Sequence, residues 1–235
     1  MSETARTALV TGAGRGIGLA TARRFARAKM NVVLMARSAA DLERAAATLG
    51  GRPDAHMIVA GDVGREDDVE RAVGAAARRF GRIDVLVNNA GAAPLSPIDE
   101  MSVADFDKML AVNVRGVFLL CRAAWPVMKR GGGGTIINVS SLSARDPFPG
   151  FAAYGGSKAF VETFTLALAG EGRPHNIRVL GVAPGAVDTA MLRAAFPDYP
   201  ASDCLDPDDV AATIEEMCEP DSPYESGQTI PIERA

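Results

Sequence analysis

The chain has 235 residues, of which 48% are hydrophobic, and its formal net charge is −4. This length and apolar content suffice for one large core, so we expect a single domain over 1–235, and the acidic balance without long basic runs excludes a nucleic-acid partner. The cysteines Cys121, Cys204 and Cys218 are odd in number and lack the spacing of a disulfide framework or a zinc site. We therefore expect a reduced, cytoplasmic protein.

Short apolar and β-branched runs alternate with amphipathic stretches along the chain. The runs predict seven strands, at Ala8–Thr11, Asn31–Met35, Met57–Ala60, Ile83–Asn88, Thr135–Ser140, Ile177–Ala183 and Gln228–Ile232. Ser38 and Ser102 each stand three residues before an aspartate, the spacing of a capping box, and Asp206 precedes a proline. Strands separated by helices need right-handed crossovers. The sequence therefore predicts an α/β fold, a doubly wound Rossmann-type parallel sheet of about seven strands with helices on both faces.

A membrane partner is not expected. The longest apolar stretch, Val117–Met128, contains Arg122 and Pro126. It is shorter than the roughly 20 apolar residues that a membrane-spanning helix needs.

A glycine-rich turn follows the first predicted strand. Gly12, Gly16 and Gly18 have the spacing T-G-x-x-x-G-x-G, starting at Thr11. Glycines let the backbone turn sharply and let phosphates approach the amides at the start of the next helix. The alternative fingerprint G-x-G-x-x-G fails, because Ile17 stands where its last glycine is needed. The turn predicts dinucleotide binding, with a tight turn that binds no ligand as the other interpretation.

Tyr154 and Lys158 stand four residues apart in a predicted helix, so they share one face. A phenol with a pKa of about 10 is a poor acid–base catalyst near neutrality. A neighbouring ammonium favours the phenolate, so Lys158 is expected to lower the pKa of Tyr154. Ser141 lies just past a strand, where ligands of such sheets bind, whereas Ser140 should face the other way. The alternative for the Tyr154–Lys158 pair is a solvated helix face.

In combination these motifs resemble the compact, single-domain short-chain dehydrogenase/reductase family. The resemblance covers nearly the whole chain and rests on Thr11-Gly12-x-x-x-Gly16-Ile17-Gly18, Asp62-Val63, Asn88-Asn89-Ala90-Gly91, Asn113, Ser141, Tyr154-x-x-x-Lys158, Pro184-Gly185 and Thr189. It implies an oxidoreductase that transfers hydride between a nicotinamide cofactor and a small-molecule carbonyl or secondary alcohol. It also implies a homodimer or homotetramer, formed by the helices after Ser102 and around Tyr154.

The resemblance assigns catalytic roles to Asn113, Ser141, Tyr154 and Lys158. Ser141 would donate to the substrate carbonyl, and Tyr154 would give its proton to the developing alkoxide. Lys158 would also hydrogen-bond the nicotinamide ribose. Asn113 would hold a water in a proton relay, with a buried packing contact as the alternative.

The resemblance also implies a set of cofactor contacts. They are Gly12, Arg15, Gly16, Ile17, Gly18, Arg37, Ser38, Asp62, Val63, Asn89, Ala90, Gly91, Tyr154, Lys158, Pro184, Gly185, Val187 and Thr189. Asp62 and Val63 would touch the adenine, and the segment Pro184–Val187 would turn backbone amides toward the nicotinamide carboxamide. For Asn89 a staple between neighbouring strands is the alternative, and for Thr189 an ordinary helix N-cap.

The end of the second predicted strand favours NADP(H) over NAD(H). NAD enzymes of this type place a carboxylate at the position of Ala36 to bind the ribose 2′-hydroxyl. Arg37 can form charge-assisted bonds to a 2′-phosphate, and Ser38 can add a hydroxyl. The alternative for Arg37 is a solvent-facing residue at a helix start.

Other functions stay open at this point. One is an NAD-dependent dehydrogenase of a small alcohol or polyol, and another is a non-catalytic dinucleotide-binding sensor or scaffold. No metal site is expected, because His56 and His175 lack metal-ligand spacing.

The substrate region is expected to be apolar. A variable segment at about 189–205 should form a lid over the site. Apolar residues would line the pocket below it, namely Ala93, Pro94, Phe148 and Phe151. Such a pocket favours a hydrophobic ketone over a sugar.

Two places depart from the family's pattern. The first helix ends in Ala28-Lys29-Met30 without the usual glycine, which predicts an unfavourable left-handed cap. Gly155 and Gly156 stand inside a predicted helix, where each costs about 1 kcal/mol relative to alanine.

Overall fold

The computed structural model describes residues 5–234, which form one seven-stranded parallel sheet covered by helices. The strands are β1 (Thr7–Thr11), β2 (Asn31–Ala36), β3 (His56–Ala60), β4 (Val85–Asn88), β5 (Gly134–Val139), β6 (Ile177–Pro184) and β7 (Thr229–Ile232). The helices are α1 (Gly16–Arg27), α2 (Ala39–Ala47), α3 (Glu66–Phe80), α4 (Val103–Leu110), α5 (Gly116–Arg130), α6 (Ala152–Gly172), α7 (Ala190–Ala195) and α8 (Pro207–Met217). The predicted doubly wound α/β fold is confirmed, with every predicted strand present.

The strand order β3-β2-β1-β4-β5-β6-β7 places the ligand crevice. The chain leaves β3 at one edge and re-enters at β4 on the other side of β1, where Leu9 pairs in register with Leu86. In such sheets ligands bind outside the carboxyl ends of the strands at this switch point. The glycine turn after β1 and the loop that begins at Asn89 after β4 therefore flank the crevice.

Successive strand residues serve two cores on opposite faces of the sheet. Leu9 packs into the core that α3, α5 and α6 cover, and its neighbour Val10 packs into the core under α1, α2 and α8. Burial on both faces explains why the central strands read as continuous apolar runs. A shift of one residue would exchange the two cores, so the register is strongly specified.

A buried chain of polar side chains connects the sheet to α6. Asn88 Nδ2 donates to Asn138 Oδ1 at 2.8 Å, and these residues are register partners in β4 and β5. Asn138 Nδ2 donates in turn to Thr165 Oγ1 at 2.8 Å, and Thr165 Oγ1 donates to Val161 O at 2.7 Å. Buried polar groups need such partners, so these bonds fix where α6 lies on the sheet.

Two of the predicted capping boxes are one-sided. The hydroxyls of Ser38 and Ser102 accept from the backbone N–H three residues later, at 3.2 and 3.0 Å. Asp41 in α2 binds Arg44, and Asp105 in α4 binds the Ser102 hydroxyl. Neither carboxylate binds the backbone N–H of its cap residue. The reciprocal bond is present at Asp206, which begins α8 with a complete capping box.

The helical stretch Val103–Arg130 combines α4, a π-helical turn at Ala111–Arg115 and α5. By length and composition alone its 28 residues could cross a membrane, whereas the predicted apolar stretch Val117–Met128 is only part of this helix. A core helix of a soluble protein meets the same criteria. Here Leu120 and Met128 lie buried in the core against the sheet.

The adjacent glycines Gly155 and Gly156 of α6 have different surroundings. A Cβ at Gly155 would lie 2.5 Å from Ser143 O, so the first turn of α6 packs directly on the turn after β5. A Cβ at Gly156 would meet nothing within 4 Å. Gly155 is therefore required by a close backbone approach, whereas Gly156 lies on the outer face of the helix.

The predicted unfavourable cap of α1 is confirmed, because Lys29 has a φ of 63°. Lys29→Gly should raise the free energy of unfolding by about 1 kcal/mol, since glycine relieves left-handed strain. Urea unfolding measures the change. Ala28→Gly is the control: Ala28 has a φ of −73°, so this variant should lose about 0.5–1 kcal/mol. Destabilisation by both variants would show that no strain resides at Lys29.

Candidate active site

The end of β5 is joined to the start of α6 through three successive residues. Lys158 Nζ donates to Val139 O at 2.8 Å, and Ser140 Oγ donates to Lys158 O at 3.2 Å. Ser141 lies close enough to Tyr154 for its hydroxyl to lower the pKa of the phenol. The predicted division is therefore observed: Ser140 is buried against α6, and Ser141 faces the tyrosine.

Ser143 orients Ser141 and was missed from the sequence. Ser143 Oγ donates to Ser141 Oγ at 3.0 Å, and the backbone N–H of Ser143 points to the same oxygen at 3.3 Å. Because Ser141 accepts these bonds, its own proton is left to donate to the phenol or to a ligand. The only indication in the sequence was that Ser143 follows Ser141 by two positions, and this spacing is too common to indicate a role.

Burial sets the protonation of the phenol and the ammonium. It raises the pKa of Tyr154 to about 12, against the lowering effect of the Ser141 hydrogen bond. It lowers the pKa of Lys158 to about 8. Lys158 Nζ lies 5.7 Å from the centroid of the Tyr154 ring. The shift of the Tyr154 pKa is thus opposite to the one expected from the sequence, because desolvation of the phenol outweighs the lowering effect of the Ser141 hydroxyl.

Asn113 lies in the π-helical turn and is almost fully buried. Its Oδ1 accepts from Ala92 N at 2.8 Å, and its Nδ2 donates to Ala92 O at 2.9 Å and to Ser157 Oγ at 3.0 Å. These contacts tie the loop after β4 to α6. These contacts support the alternative interpretation of the Asn113 side chain, a buried structural contact, over a role in holding a water.

Gly91 lies where three elements of the site converge. A Cβ at this position would lie 3.8 Å from each of three groups: Asn113 Oδ1, Lys158 Nζ and Met191 Cε. The loop after β4, the helix α6 and the helix α7 therefore converge here. Met191 was not identified from the sequence, because a methionine beside a lid is usually an ordinary packing residue.

The glycine turn after β1 is closed by direct contact. Gly12 and Gly16 have φ values of 64° and 56°, which favour glycine. A Cβ at Gly18 would lie 2.5 Å from both Gly12 O and Asn89 Nδ2. Asn89 Nδ2 donates to Thr11 O at 2.8 Å. Asn89 therefore links the ends of β1 and β4, which was the alternative to a cofactor contact for this residue.

Arginines stand on either side of this turn. Arg15 precedes α1 and Arg37 follows β2, and both are exposed. Within residues 5–234 neither guanidinium forms a salt bridge. Ser38 next to Arg37 caps α2, and Ile17 packs half-buried under the turn.

Some predicted cofactor contacts are occupied within the protein. Val63 is buried against Gly116 of α5, so its side chain is not available for the predicted adenine contact. Asp62 Oδ1 accepts from Gly64 N at 2.9 Å. Ala90, beside Gly91, donates its N–H to Thr11 Oγ1 at 3.1 Å.

The segment after β6 also departs from expectation. The N–H of Gly185, which follows Pro184, donates to Ile232 O of β7 at 3.0 Å, so it does not point freely into the crevice. Val187 is buried and forms a parallel bridge with Leu205. The Gly185 amide and the Val187 side chain therefore serve the closure of the sheet. For the N–H groups of Ala186 and Val187, the contact with the nicotinamide carboxamide stays a prediction.

The predicted lid is a loop whose two ends meet. Besides the bridge to Val187, Leu205 accepts from Asp188 N at 3.0 Å through its carbonyl. Thr189 begins α7 as an N-cap, with its Oγ1 accepting from Leu192 N at 3.3 Å. The N-cap alternative for Thr189 is therefore observed.

Aromatic rings connect the lid to the tyrosine. Phe196 of the lid stacks on Phe151 with ring centroids 6.0 Å apart. Phe151 meets the rings of Tyr154 and Phe148 edge-on, at 6.1 and 5.9 Å. The predicted pocket residues Ala93 and Pro94 are half-buried in the loop after β4. Phe196 belongs to the segment that was predicted as a lid, and its contact with Phe151 was not predicted.

Comparison with known proteins gives consistent matches. The sequence model of the short chain dehydrogenase family matches residues 6–200. Human dehydrogenase/reductase SDR family member 4 is 34% identical over 238 residues, covering 97% of this chain and 86% of the relative. D-threitol dehydrogenase of Mycolicibacterium smegmatis is 40% identical over 200 residues, covering 85% and 76%.

Solved structures agree with these matches. The 3-ketoacyl-(acyl-carrier-protein) reductase from Brucella melitensis, complexed with NADH, superimposes with a TM-score of 0.88 at 35% identity. The match covers 97% of this chain and 96% of that protein. Sequence and structure together confirm the resemblance: the chain belongs to the short-chain dehydrogenase/reductase family, oxidoreductases that bind a nicotinamide dinucleotide and act on small-molecule alcohols or carbonyls.

Proposed function

We propose that this protein is an NADP(H)-dependent oxidoreductase that interconverts a carbonyl compound and a secondary alcohol. The proposal rests on one observation above all. Ser141, Tyr154 and Lys158 meet where β5 ends and α6 begins, beside Gly91.

The residues around the crevice fit a nicotinamide dinucleotide. The left-handed turn at Gly12 and Gly16 leads into the N-terminus of α1, which attracts phosphate. Gly91 has no side chain that would occupy the space beside Lys158 Nζ. When bound, the cofactor supplies or accepts hydride at its nicotinamide ring.

In carbonyl reduction Tyr154 gives its phenolic proton to the carbonyl oxygen. A pKa of about 12 keeps the phenol protonated at neutral pH, which is the state that reduction needs. The Ser141 hydroxyl, oriented by Ser143, donates to the same oxygen and stabilises its developing charge. The nearby Lys158 ammonium stabilises the phenolate left behind. Alcohol oxidation needs that phenolate at the outset, so it should gain from higher pH.

Tyr154→Phe tests the proton donor. The variant keeps the ring and loses only the hydroxyl, so turnover should fall by several orders of magnitude while cofactor affinity stays unchanged. Steady-state kinetics measures turnover, on an active member of a panel of ketones, quinones and acyl-carrier β-ketoesters. Fluorescence titration with NADPH measures cofactor affinity.

Tyr224→Phe is the matched control, because its hydroxyl binds Glu216 away from the site. A Tyr154→Phe enzyme with more than about a tenth of wild-type kcat would lack at least about 1.4 kcal/mol of the expected effect, and the role would be misassigned. Cofactor binding by wild-type protein without turnover of any panel member would favour the sensor or scaffold.

The choice of NADP(H) is supported by the end of β2. Ala36 leaves no carboxylate to repel a 2′-phosphate, and the Arg37 guanidinium is exposed without an ion-pair partner in the described chain. The Ser38 hydroxyl accepts from the α2 backbone and can still donate its own proton. The Brucella relative was complexed with NADH, so NADH is the natural comparison in a test of the cofactor preference.

Arg37→Ala should lower kcat/KM for NADPH by about 10- to 100-fold and change kcat/KM for NADH little, because a charge-assisted bond to phosphate is lost. Adding Ala36→Asp should reverse the preference. Arg23→Ala is the control, since that exposed arginine on α1 binds Thr48. Equal or higher kcat/KM with NADH than with NADPH in wild-type protein would refute the proposal.

The substrate class that we propose is a hydrophobic ketone. Phe148, Phe151 and Phe196 form an apolar wall beside Tyr154. Such a wall offers no partner for the hydroxyls of a polyol, whose burial without hydrogen bonds is unfavourable. The D-threitol dehydrogenase relative makes a polyol the natural comparison in the same panel.

We further propose that the protein is a homodimer or homotetramer assembled through α6. The exposed positions of this helix from its start to Gly170 are uncharged; they are Ala152, Gly156, Phe160, Thr163, Leu166, Ala167 and Gly170. An extended helix face of this kind is unusual on a monomer and suits a two-fold contact between identical faces.

Phe160→Glu should convert the assembly to monomers, because the charge would be buried at the contact. Light scattering at micromolar concentration measures the mass. Ile58→Glu on the edge strand β3 is the control, since Phe160 and Ile58 are each 37% exposed. A monomeric wild-type protein would contradict the proposed assembly.

We propose a cytoplasmic location on the basis of the cysteines. Cys121, Cys204 and Cys218 are all buried and none forms a disulfide. Burial raises the pKa of Cys121 and of Cys218 to about 12, so both thiols stay protonated and unreactive. Such thiols are typical of a reducing compartment.

A further inference from the structure

We infer that Glu162 and Arg145 are positioning residues: they hold the turn after β5 against α6 and so set the contact between Ser141 and Tyr154. The inference deepens the proposed function and rests on it. Neither residue belongs to the motifs that identify the family in the sequence.

Glu162 binds two separate segments with its two carboxylate oxygens. It lies on α6 one turn after Lys158, and its side chain is 18% exposed. Its Oε1 accepts from Ser140 Oγ at 3.3 Å, and its Oε2 accepts from Arg145 Nε at 3.0 Å. One carboxylate therefore holds the residue just before Ser141 and the residue just after the turn that Ser141 begins.

Arg145 extends this contact to the edge of the sheet. It follows the short 3-10 turn Leu142–Ala144, whose N-cap is Ser141. Its Nη2 donates to Thr229 O of β7 at 3.2 Å, while its Nε binds Glu162. The guanidinium thus bridges α6 and β7, and it fixes the far end of the serine turn.

The single proton of the Ser140 hydroxyl connects this pair to the lysine. Ser140 Oγ lies 3.2 Å from Lys158 O and 3.3 Å from Glu162 Oε1, so its proton is shared between the two acceptors. The backbone of Lys158 and the carboxylate of Glu162 consequently hold Ser140 together. Loss of Glu162 would leave Ser140 in place and release the turn that follows it.

The Glu162–Arg145 pair is expected to affect the positions of the reacting groups more than the stability of the fold. The Arg145 side chain is 49% exposed, and ion pairs with this much solvent contribute little to overall stability. A reacting group displaced by about 1 Å can nevertheless cost as much as about 100-fold in rate. Variants of the pair should therefore fold normally but react slowly.

A change in the pKa of Tyr154 distinguishes positioning from a simple charge effect. The Ser141 hydroxyl near the phenol lowers this pKa, so a displaced Ser141 should raise it. Removal of a nearby negative charge would act in the opposite direction and lower it. The direction of the shift therefore identifies how Glu162 acts.

The test compares Glu162→Gln and Arg145→Gln with wild-type enzyme saturated with NADPH. We expect each to lower kcat by about tenfold or more, to leave KM for NADPH within about twofold, and to move the pH profile to the alkaline side. Glu162→Gln added to Ser141→Ala should cause no further shift, because the contact is already lost. Glu66→Gln, which breaks the Glu66–Arg122 pair, is the matched control.

Amide hydrogen exchange across 141–145 provides a readout without turnover, and faster exchange in Glu162→Gln is expected. An acid shift, an unchanged kcat, an additive effect with Ser141→Ala or unchanged exchange would each overturn the inference. Absence of carbonyl turnover in wild-type protein would instead refute the proposed function. The exchange measurement would then still decide whether the pair holds the turn.

Discussion

A lysine ammonium that is 4% exposed needs an acceptor within the protein, and Lys158 finds it in the carbonyl of Val139 at the end of β5. Burial lowers the pKa of Lys158 to about 8, so the group remains mostly protonated at neutral pH. A buried charge without such a partner would be strongly unfavourable. The bond therefore holds α6 against the end of β5, and Tyr154, one helical turn earlier, comes to lie beside Ser141 as a consequence.

Further bonds hold α6 at successive turns. Ser157 accepts from Asn113, and Thr165 accepts from Asn138 in the middle of the sheet. On the opposite side of the crevice, the lid depends on its closing bridge at Leu205 and on the stack of Phe196 against Phe151. The reacting groups thus rest on rigid elements, while the substrate wall belongs to a loop. This division lets the lid vary in sequence without disturbing the proton-transfer geometry.

The fold and the central residues were predictable because they depend on local patterns. Burial on both faces makes strands such as β1 continuously apolar, and period-two alternation separated Ser140 from Ser141. What failed depended on contacts between distant parts of the chain. The occupied amide of Gly185 and the burial of Val63 come from partners on β7 and α5. The raised pKa of Tyr154 follows from desolvation, which the spacing of two residues in a helix cannot show.

The cofactor preference that we propose depends on a balance of charges and not on Arg37 alone. Asp41 lies directly beside the glycine turn, with its Cβ 3.1 Å from where a Cβ on Gly14 would stand. An unpaired carboxylate there would oppose a 2′-phosphate as effectively as one at position 36. Asp41 is instead paired with Arg44, which leaves the positive charges of Arg15 and Arg37 uncompensated. The two arginines, without ion-pair partners in residues 5–234, therefore support the proposed preference for NADP(H).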